Sequence, residues 1–127
     1  MAMRMPTVEI VIVNWNSGPW LRECLRALAD ARNAAACGVS RVVVVDNASS
    51  DGSCDGLELP GELPLSIVRN DVNRGFAAAC NQGAAGASAD YLLFLNPDTV
   101  PTAEALDGAI GLLEARAAES VKIAGVW

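Results

Sequence analysis

The sequence of 127 residues contains no histidine. That excludes a Ser-His-Asp relay, a histidine proton shuttle and the common histidine zinc sites. Cysteine is sparse: Cys24, Cys37, Cys54 and Cys80 each sit in or beside an apolar segment, and no two are spaced Cys-x-x-Cys. This predicts reduced, mostly buried thiols in a cytoplasmic protein, not a disulfide framework or a metal site. No apolar run is long enough to cross a bilayer, and residues 1–7 hold no signal-type apolar region. Phosphate-binding glycine motifs are missing as well. Asn14-Trp15-Asn16-Ser17-Gly18-Pro19 stands where GxGxxG would follow a first strand, and GxxxxGK[ST] is absent; a dehydrogenase-type domain and a P-loop enzyme are both disfavoured. A phospho-receiver would place an acidic pair there, and a nucleotidyltransferase a glycine- and arginine-rich loop. Positive charge is scarce, with nine Lys+Arg against fifteen Asp+Glu and a net charge of -6. No nucleic-acid partner is therefore expected. A diphosphate stays compatible, because a few backbone amides, one cation and one arginine can hold it.

What is present is a folding composition, 52% hydrophobic and 19% charged, at a length suited to one core. Val8 to Val13 is a β-branched run and predicts a strand. The turn after it predicts a helix capped by Ser17 or Asn16, with Leu21, Cys24, Leu25 and Leu28 on its inner face. Arg41 to Val45 predicts a strand buried on both faces. Residues 53–64 carry no clear signal, and Pro60, Gly61 and Pro64 oppose a long helix there. Leu65 to Val68 predicts a short strand. Gly75 to Ala87 predicts a helix of small residues, weakened by Gly83 and Gly86 at about 1 kcal/mol each. Tyr91 to Leu95 predicts a fourth buried strand. A helix should run from Pro101 to about Glu119, facing inward through Ala105, Leu106, Ile110, Leu113 and Ala117, and residues 121–127 should begin a fifth strand. The alternation implies an α/β fold: a mostly parallel sheet with helices on both faces.

Three polar clusters then fall at strand carboxyl ends: Asn14 and Asn16; Asp46 to Asp51; and Asn96-Pro97-Asp98. Parallel strands bring such ends to one edge, where ligands bind at the point of strand-order reversal. The segments VEIVIVNWNS, VVVVDNASSDGS, NRGFAAACNQG and YLLFLNPDT occur in this order. Together they resemble the nucleotide-sugar-binding half of family 2 glycosyltransferases of the GT-A fold, most closely the rhamnosyltransferase-type enzymes of bacterial cell-envelope polysaccharide synthesis.

The resemblance implies a single nucleotide-diphospho-sugar-binding domain over residues 1–127, with the acceptor-binding part absent and the domain truncated. It places Asn14, Trp15 and Asn16 beside base and ribose, and makes Asp46 an acceptor for a base N–H. An Asx-type turn is the plainer reading of Asp46, and loop capping that of Asp51. Arg74 would meet base or diphosphate, or stay a solvated surface residue. Asn81, if its helix lies on the sheet, needs a partner for its amide. Asn96-Pro97-Asp98 occupies the position of the family's DxD motif. Asp98 would hold Mg²⁺ or Mn²⁺ against the diphosphate, with Asn96 replacing the first acid and weakening the site until nucleotide arrives; an ordinary turn before a helix is the alternative. The implied partners are a nucleotide-diphospho-sugar donor and a glycan or lipid-linked acceptor, the full-length enzyme working at the inner face of the membrane. Self-association through the cut C-terminal edge is also expected. The implied reaction is inverting transfer to an acceptor hydroxyl. No residue matches the family's base motif: Glu104, Asp107, Glu114 and Glu119 look like helix-surface residues, and the catalytic residue stays unassigned. A non-catalytic nucleotide-binding or partner-packing module is the competing function.

Overall fold

The computed structural model describes residues 5–57 and 63–116. Its elements are β1 (Thr7–Asn14), α1 (Trp20–Ala34), β2 (Gly38–Asp46), β3 (Leu65–Arg69), α2 (Phe76–Ala84), β4 (Tyr91–Leu95) and α3 (Ala103–Ala115). Among the described residues the strands make one sheet in the order β3-β2-β1-β4, with every pairing parallel. Strand order therefore reverses between β1 and β4. The expected fifth strand at 121–127 and the end of the last helix, Ala117 and Glu119 included, lie outside the described residues.

The β-branched runs in β1 and β2 fill the middle of the sheet because both of their faces are covered. On one face Ile10, Ile12, Val42 and Val44 meet Leu21, Cys24, Leu25 and Leu28 of α1, and Leu106 and Ile110 of α3. On the other, Val43 and Val45 meet Ala79 of α2. The predicted two-sided α/β architecture is what the chain adopts. Glu9 breaks the apolar run, yet it is 5% exposed. Its Oε2 accepts from the backbone N–H groups of Ser88 (3.0 Å) and Ala89 (3.3 Å), and Oε1 lies 3.9 Å from Arg41. A buried carboxylate stands here because it ties the segment entering β4 to the central strand.

α2 lies against the sheet through its smallest residues. A Cβ on Gly83 would stand 2.4 Å from Cγ1 of Val11 and 3.2 Å from Cγ2 of Val45, so only glycine fits without displacing the strand. The helix ends at Ala84, short of the expected Ala87, because Gly86 takes φ +76° and stops it. α1 starts where expected but without its predicted cap: the residue before it is Pro19, with no side-chain cap. The Ser17 hydroxyl donates to Asn14 Oδ1, while Asn16 Oδ1 accepts from Ser50 N–H. Those two side chains are committed to the loops. α3 begins two residues past Pro101, capped by Thr102, whose Oγ1 accepts from Ala105 N–H at 3.1 Å. Its buried residues are Leu106, Ile110 and Leu113.

β4 departs from expectation. Tyr91, Leu93 and Leu95 join the α1/α3 core, but Leu92 and Phe94 are 41% and 45% exposed. α2 packs chiefly over β1 and β2. A continuous apolar run reads as buried on both sides; here the side that carries Leu92 and Phe94 stays partly exposed.

Candidate functional site

The register places Asn14, the last residue of β1, beside Asp46, the last of β2, and Ile12 beside Leu95, the last of β4. The three predicted clusters thus emerge at one edge of the sheet, flanking the reversal of strand order.

Asn14 and Asp46 meet directly. Asn14 is fully buried, and its Nδ2 lies 3.1 Å from Asp46 Oδ1, 2.9 Å from Ser53 Oγ, 3.2 Å from Ser49 Oγ and 3.4 Å from Cys54 Sγ. Ser49 Oγ donates a second bond to Asp46 Oδ1 at 2.6 Å. The Asn14 backbone carbonyl accepts from Asn47 N–H at 2.8 Å. Asn14 therefore acts from below, fixing the Asp46 loop through its amide. Asp46 ends β2, and its side chain is braced by Asn14 and Ser49 at the carboxyl edge of the sheet.

Trp15 and Asn16 stand above. Trp15 is 57% exposed. Asn16 sits at φ +47° and Ala48, across from it, at φ +63°, a region that costs an L-residue about 1–2 kcal/mol. Asn16 is pinned: its N–H donates to Ser49 Oγ at 2.9 Å, and its Oδ1 accepts from Ser50 N–H at 2.8 Å. Asp51 caps the loop as its alternative reading suggested, accepting from Ser53 N–H and Gly18 N–H, each at 2.9 Å. The hydrogen bonds from Ser53, and then that from Gly18, hold its carboxyl below the usual range.

The segment that carried no sequence signal proves to be a buttress. Residues 53–56 form turns gripped from two sides. Arg22 of α1 donates to the carbonyls of Asp55 (2.5 Å) and Gly56 (3.3 Å), and Arg69 of β3 donates to the Cys54 carbonyl (2.8 Å) and Asp55 Oδ1 (3.2 Å). Burial, then the charge of Asp46, pushes the Cys54 thiol up to about 12. Cys37 is raised to about 11 by burial and by its bond with Asp107. All four cysteines are free, with Cys24, Cys37 and Cys54 buried, as expected.

A second polar network, unforeseen in the sequence, joins β2 to the Arg74 segment. Asn47 Nδ2 donates to the Gly75 carbonyl (3.1 Å), and its Oδ1 accepts from Asn70 Nδ2 (3.0 Å) and Arg74 N–H (3.3 Å). Asn70 and Gln82 exchange amide bonds at 2.7 and 2.8 Å. The amide that needed a partner is thus Gln82 and not Asn81, which is exposed because it lies off the Ala79–Gly83 stripe facing the sheet. Arg74 is exposed, with its backbone anchored.

Asn96 to Thr99 closes a turn after β4: the Asn96 carbonyl accepts from Thr99 N–H (3.2 Å) and Thr99 Oγ1 (2.8 Å), leaving Asn96 and Asp98 exposed. Cys24 lies beneath, its Sγ 3.8 Å from Thr99 Oγ1. Burial raises that thiol, and the Asp98 charge adds to it. Among the described residues no three His, Cys, Asp or Glu converge on a metal position. The donor set is one free carboxylate beside one amide, which suits a hard cation that brings phosphate oxygens with it.

Asp107 and Glu114 on α3 are tied to neighbouring elements. Asp107 accepts from Ala36 N–H (2.8 Å) and Cys37 N–H (2.9 Å), and these bonds keep its carboxyl low. Glu114 accepts from the Tyr91 hydroxyl at 2.8 Å, and Glu104 is exposed in the first turn of α3.

Comparison with known proteins bears on the fold and the family. An uncharacterised glycosyltransferase of Haemophilus influenzae is 30% identical over 73 residues, covering 58% of this chain and 24% of the relative. The mannosyltransferase PcManGT from Pyrobaculum calidifontis, solved with GDP-Man and Mn²⁺, superposes with a TM-score of 0.70 at 24% identity, over 87% of this chain and 33% of that one. Residues 1–349 of S. aureus TarS, solved with UDP-GlcNAc, give 0.68 at 20% identity, over 87% and 32%. These structural likenesses show the GT-A-like α/β fold, and the chain spans about a quarter to a third of the length of the proteins it matches. The model of glycosyl transferase family 2 matches residues 9–124, nearly the whole sequence: the chain belongs to that family.

Proposed function

We propose that this chain is the donor-binding portion of an inverting glycosyltransferase and seats a nucleoside diphosphate sugar at the carboxyl edge of the sheet. The observation that carries the reading is the Asn14–Asp46 bond across the ends of β1 and β2, beside the exposed Asn96 and Asp98 after β4. Asp46 accepts a hydrogen bond from the base. Trp15 offers its exposed indole face for stacking, and Asn16 fixes the loop that carries it. Arg74 reaches the base or the diphosphate.

Asp98 holds Mg²⁺ or Mn²⁺ together with the diphosphate, and Asn96 contacts ribose or a metal-bound water. The cation, when bound, neutralises the negative charge of the leaving nucleoside diphosphate. An acceptor hydroxyl on a glycan or lipid-linked glycan attacks the anomeric carbon from the opposite side. The described residues hold the donor and supply no base for that hydroxyl. The motif order favours the rhamnosyltransferase-type enzymes of bacterial cell-envelope polysaccharide synthesis, working in the cytoplasm at the inner membrane face.

Calorimetry with UDP, dTDP and GDP, with and without Mn²⁺, tests the reading. Binding that tightens with Mn²⁺ is expected, without sugar transfer by the chain alone. A folded chain silent toward every nucleotide would instead support a module that only packs against a partner.

The exposed side of β4 leads to a second expectation. Among the described residues Leu92 and Phe94 form an exposed apolar strip on the edge strand of the sheet, and such strips drive association. The chain should self-associate at high concentration in sedimentation velocity, and Phe94→Lys should shift it toward monomer. A wild-type profile that stays monomeric would refute this.

A further inference from the structure

The amide network beyond β2 has one polarity, and its far end lies on α2. Asn47 clips two successive residues: its Oδ1 accepts from Arg74 N–H at 3.3 Å, and its Nδ2 donates to the Gly75 carbonyl at 3.1 Å. A backbone N–H only donates and a carbonyl only accepts, so the Asn47 amide has a single orientation. Its Oδ1 therefore faces Asn70 Nδ2, 3.0 Å away. That turns Asn70 Oδ1 toward α2, where Gln82 Nε2 donates to it at 2.8 Å. Gln82 Oε1 accepts the other Asn70 proton at 2.7 Å.

No amide in this chain can turn over alone. Asn47 and Asn70 are 2% and 8% exposed. A reversed Asn70 would set its Oδ1 against Asn47 Oδ1 and its Nδ2 against Gln82 Nε2, leaving buried polar atoms unpaired. The Gln82 end is seated, because its neighbour Gly83 lies against Val11 and Val45. The Arg74 end lies in a stretch, residues 71–78, that is exposed throughout. Gly75 takes φ +83° there, a region glycine enters freely. The two bonds from Asn47 tie that stretch to the end of β2.

We propose that Gln82 is a positioning residue for Arg74: through Asn70 and Asn47 it fixes the backbone from which the arginine reaches the nucleotide. The proposal rests on the donor-binding reading above. Gln82 acts two side chains away from the residue it serves. Its donor orients Asn70, Asn70 orients Asn47, and Asn47 holds the Arg74–Gly75 backbone by one donor and one acceptor.

The test is a double-mutant cycle, read by calorimetry with UDP, dTDP and GDP in the presence of Mn²⁺. Gln82→Glu keeps the size of the side chain and its acceptor, but puts an oxygen where Nε2 donates to Asn70. A role in packing alone would survive that change. Arg74→Ala should weaken binding about tenfold or more, the loss expected for a charge-assisted hydrogen bond, and Gln82→Glu about five- to tenfold. In the Arg74→Ala background Gln82→Glu should alter affinity by less than about twofold, since the group through which it acts is gone. Losses that multiply in the double variant, or a Gln82→Glu chain that binds as wild type does, would overturn the relay and leave nucleotide binding intact. Arg74→Ala without effect would remove the residue the relay serves. A wild-type chain silent toward all three nucleotides would overturn the donor site itself.

A ligand-free measurement reads the relay directly. In Gln82→Glu the Arg74 amide proton should exchange with solvent at least about tenfold faster than in the wild type, as local opening there becomes easier. Asn47 N–H, bonded to the Asn14 carbonyl at 2.8 Å, should keep its rate. An unchanged Arg74 rate would refute the proposal, and so would equal acceleration at both amides, the mark of a general loosening of the sheet edge.

Discussion

Gly83→Val should lower the melting temperature by roughly 10–20 °C. A Cβ alone would stand 2.4 Å from Val11 Cγ1. Val11 is 1% exposed in the central strand and, being β-branched, has no flexible end to move aside. Either α2 lifts from the sheet or β1 shifts against β2. Overpacking of this kind costs about 3 kcal/mol, and each kcal/mol moves the midpoint of a domain between the 100- and 150-residue classes by about 3–6 °C. A contrast comes from Gly108 in α3, where an added Cβ meets nothing within 4 Å. Gly108→Ala should be neutral or should raise the midpoint slightly, because alanine is favoured in a helix interior by about 1 kcal/mol. Thermal melts of the two variants side by side separate backbone proximity from helix propensity. Equal effects would show that the close approach of α2 has no energetic weight.

Asp98→Asn should abolish the tightening of nucleotide binding by Mn²⁺ and leave metal-free binding unchanged. The described residues hold no three-ligand cluster, so this carboxylate carries the protein's anionic share of the proposed cation site. Even the outer partners of metal ligands are worth about 10–100-fold in metal affinity. A direct ligand in so sparse a set should cost about a hundredfold, ~2.7 kcal/mol. The turn is closed by Thr99 and the Asn96 carbonyl, and the Asp98 side chain is exposed. The substitution should therefore not affect folding. Calorimetric titration of nucleotide at fixed and zero Mn²⁺ measures the difference directly. An undiminished metal response in the variant would place the cation elsewhere.

The central sheet was legible because β1 and β2 carry β-branched runs at Ile10–Val13 and Val42–Val45, and a run of that kind is stable only where both faces are covered. The same logic misled at β4. Tyr91–Leu95 is equally apolar, yet only Tyr91, Leu93 and Leu95 find partners. Composition reports how much surface a strand wants to bury, not whether a helix is placed to bury it. Helix ends were lost to loop geometry: Ser17 and Asn16 have the chemistry of caps but serve Asn14 and Ser50 instead.

The candidate site was legible as three loops and not as a network. Nothing in the order of residues says that Asn14 points down to brace Asp46 and not up toward a ligand. Nor does it say that Arg22 and Arg69, 47 positions apart, grip the same turn. Gln82 was missed for Asn81 because a one-residue error in helical phase moves a side chain from sheet to solvent.

The tie between Thr7 and Asp90 spans 83 residues. β1, at the middle of the sheet, is the first strand made, and β4 is the last of the four. During synthesis β1 can join β2 early, but its other flank waits until residues 91–95 have emerged. Closing so distant a pair is the slow step for parallel topologies. A ribosome paused before residue 90 would display the apolar flank of β1 to the cytosol, and chaperone engagement of the nascent chain should concentrate in that interval.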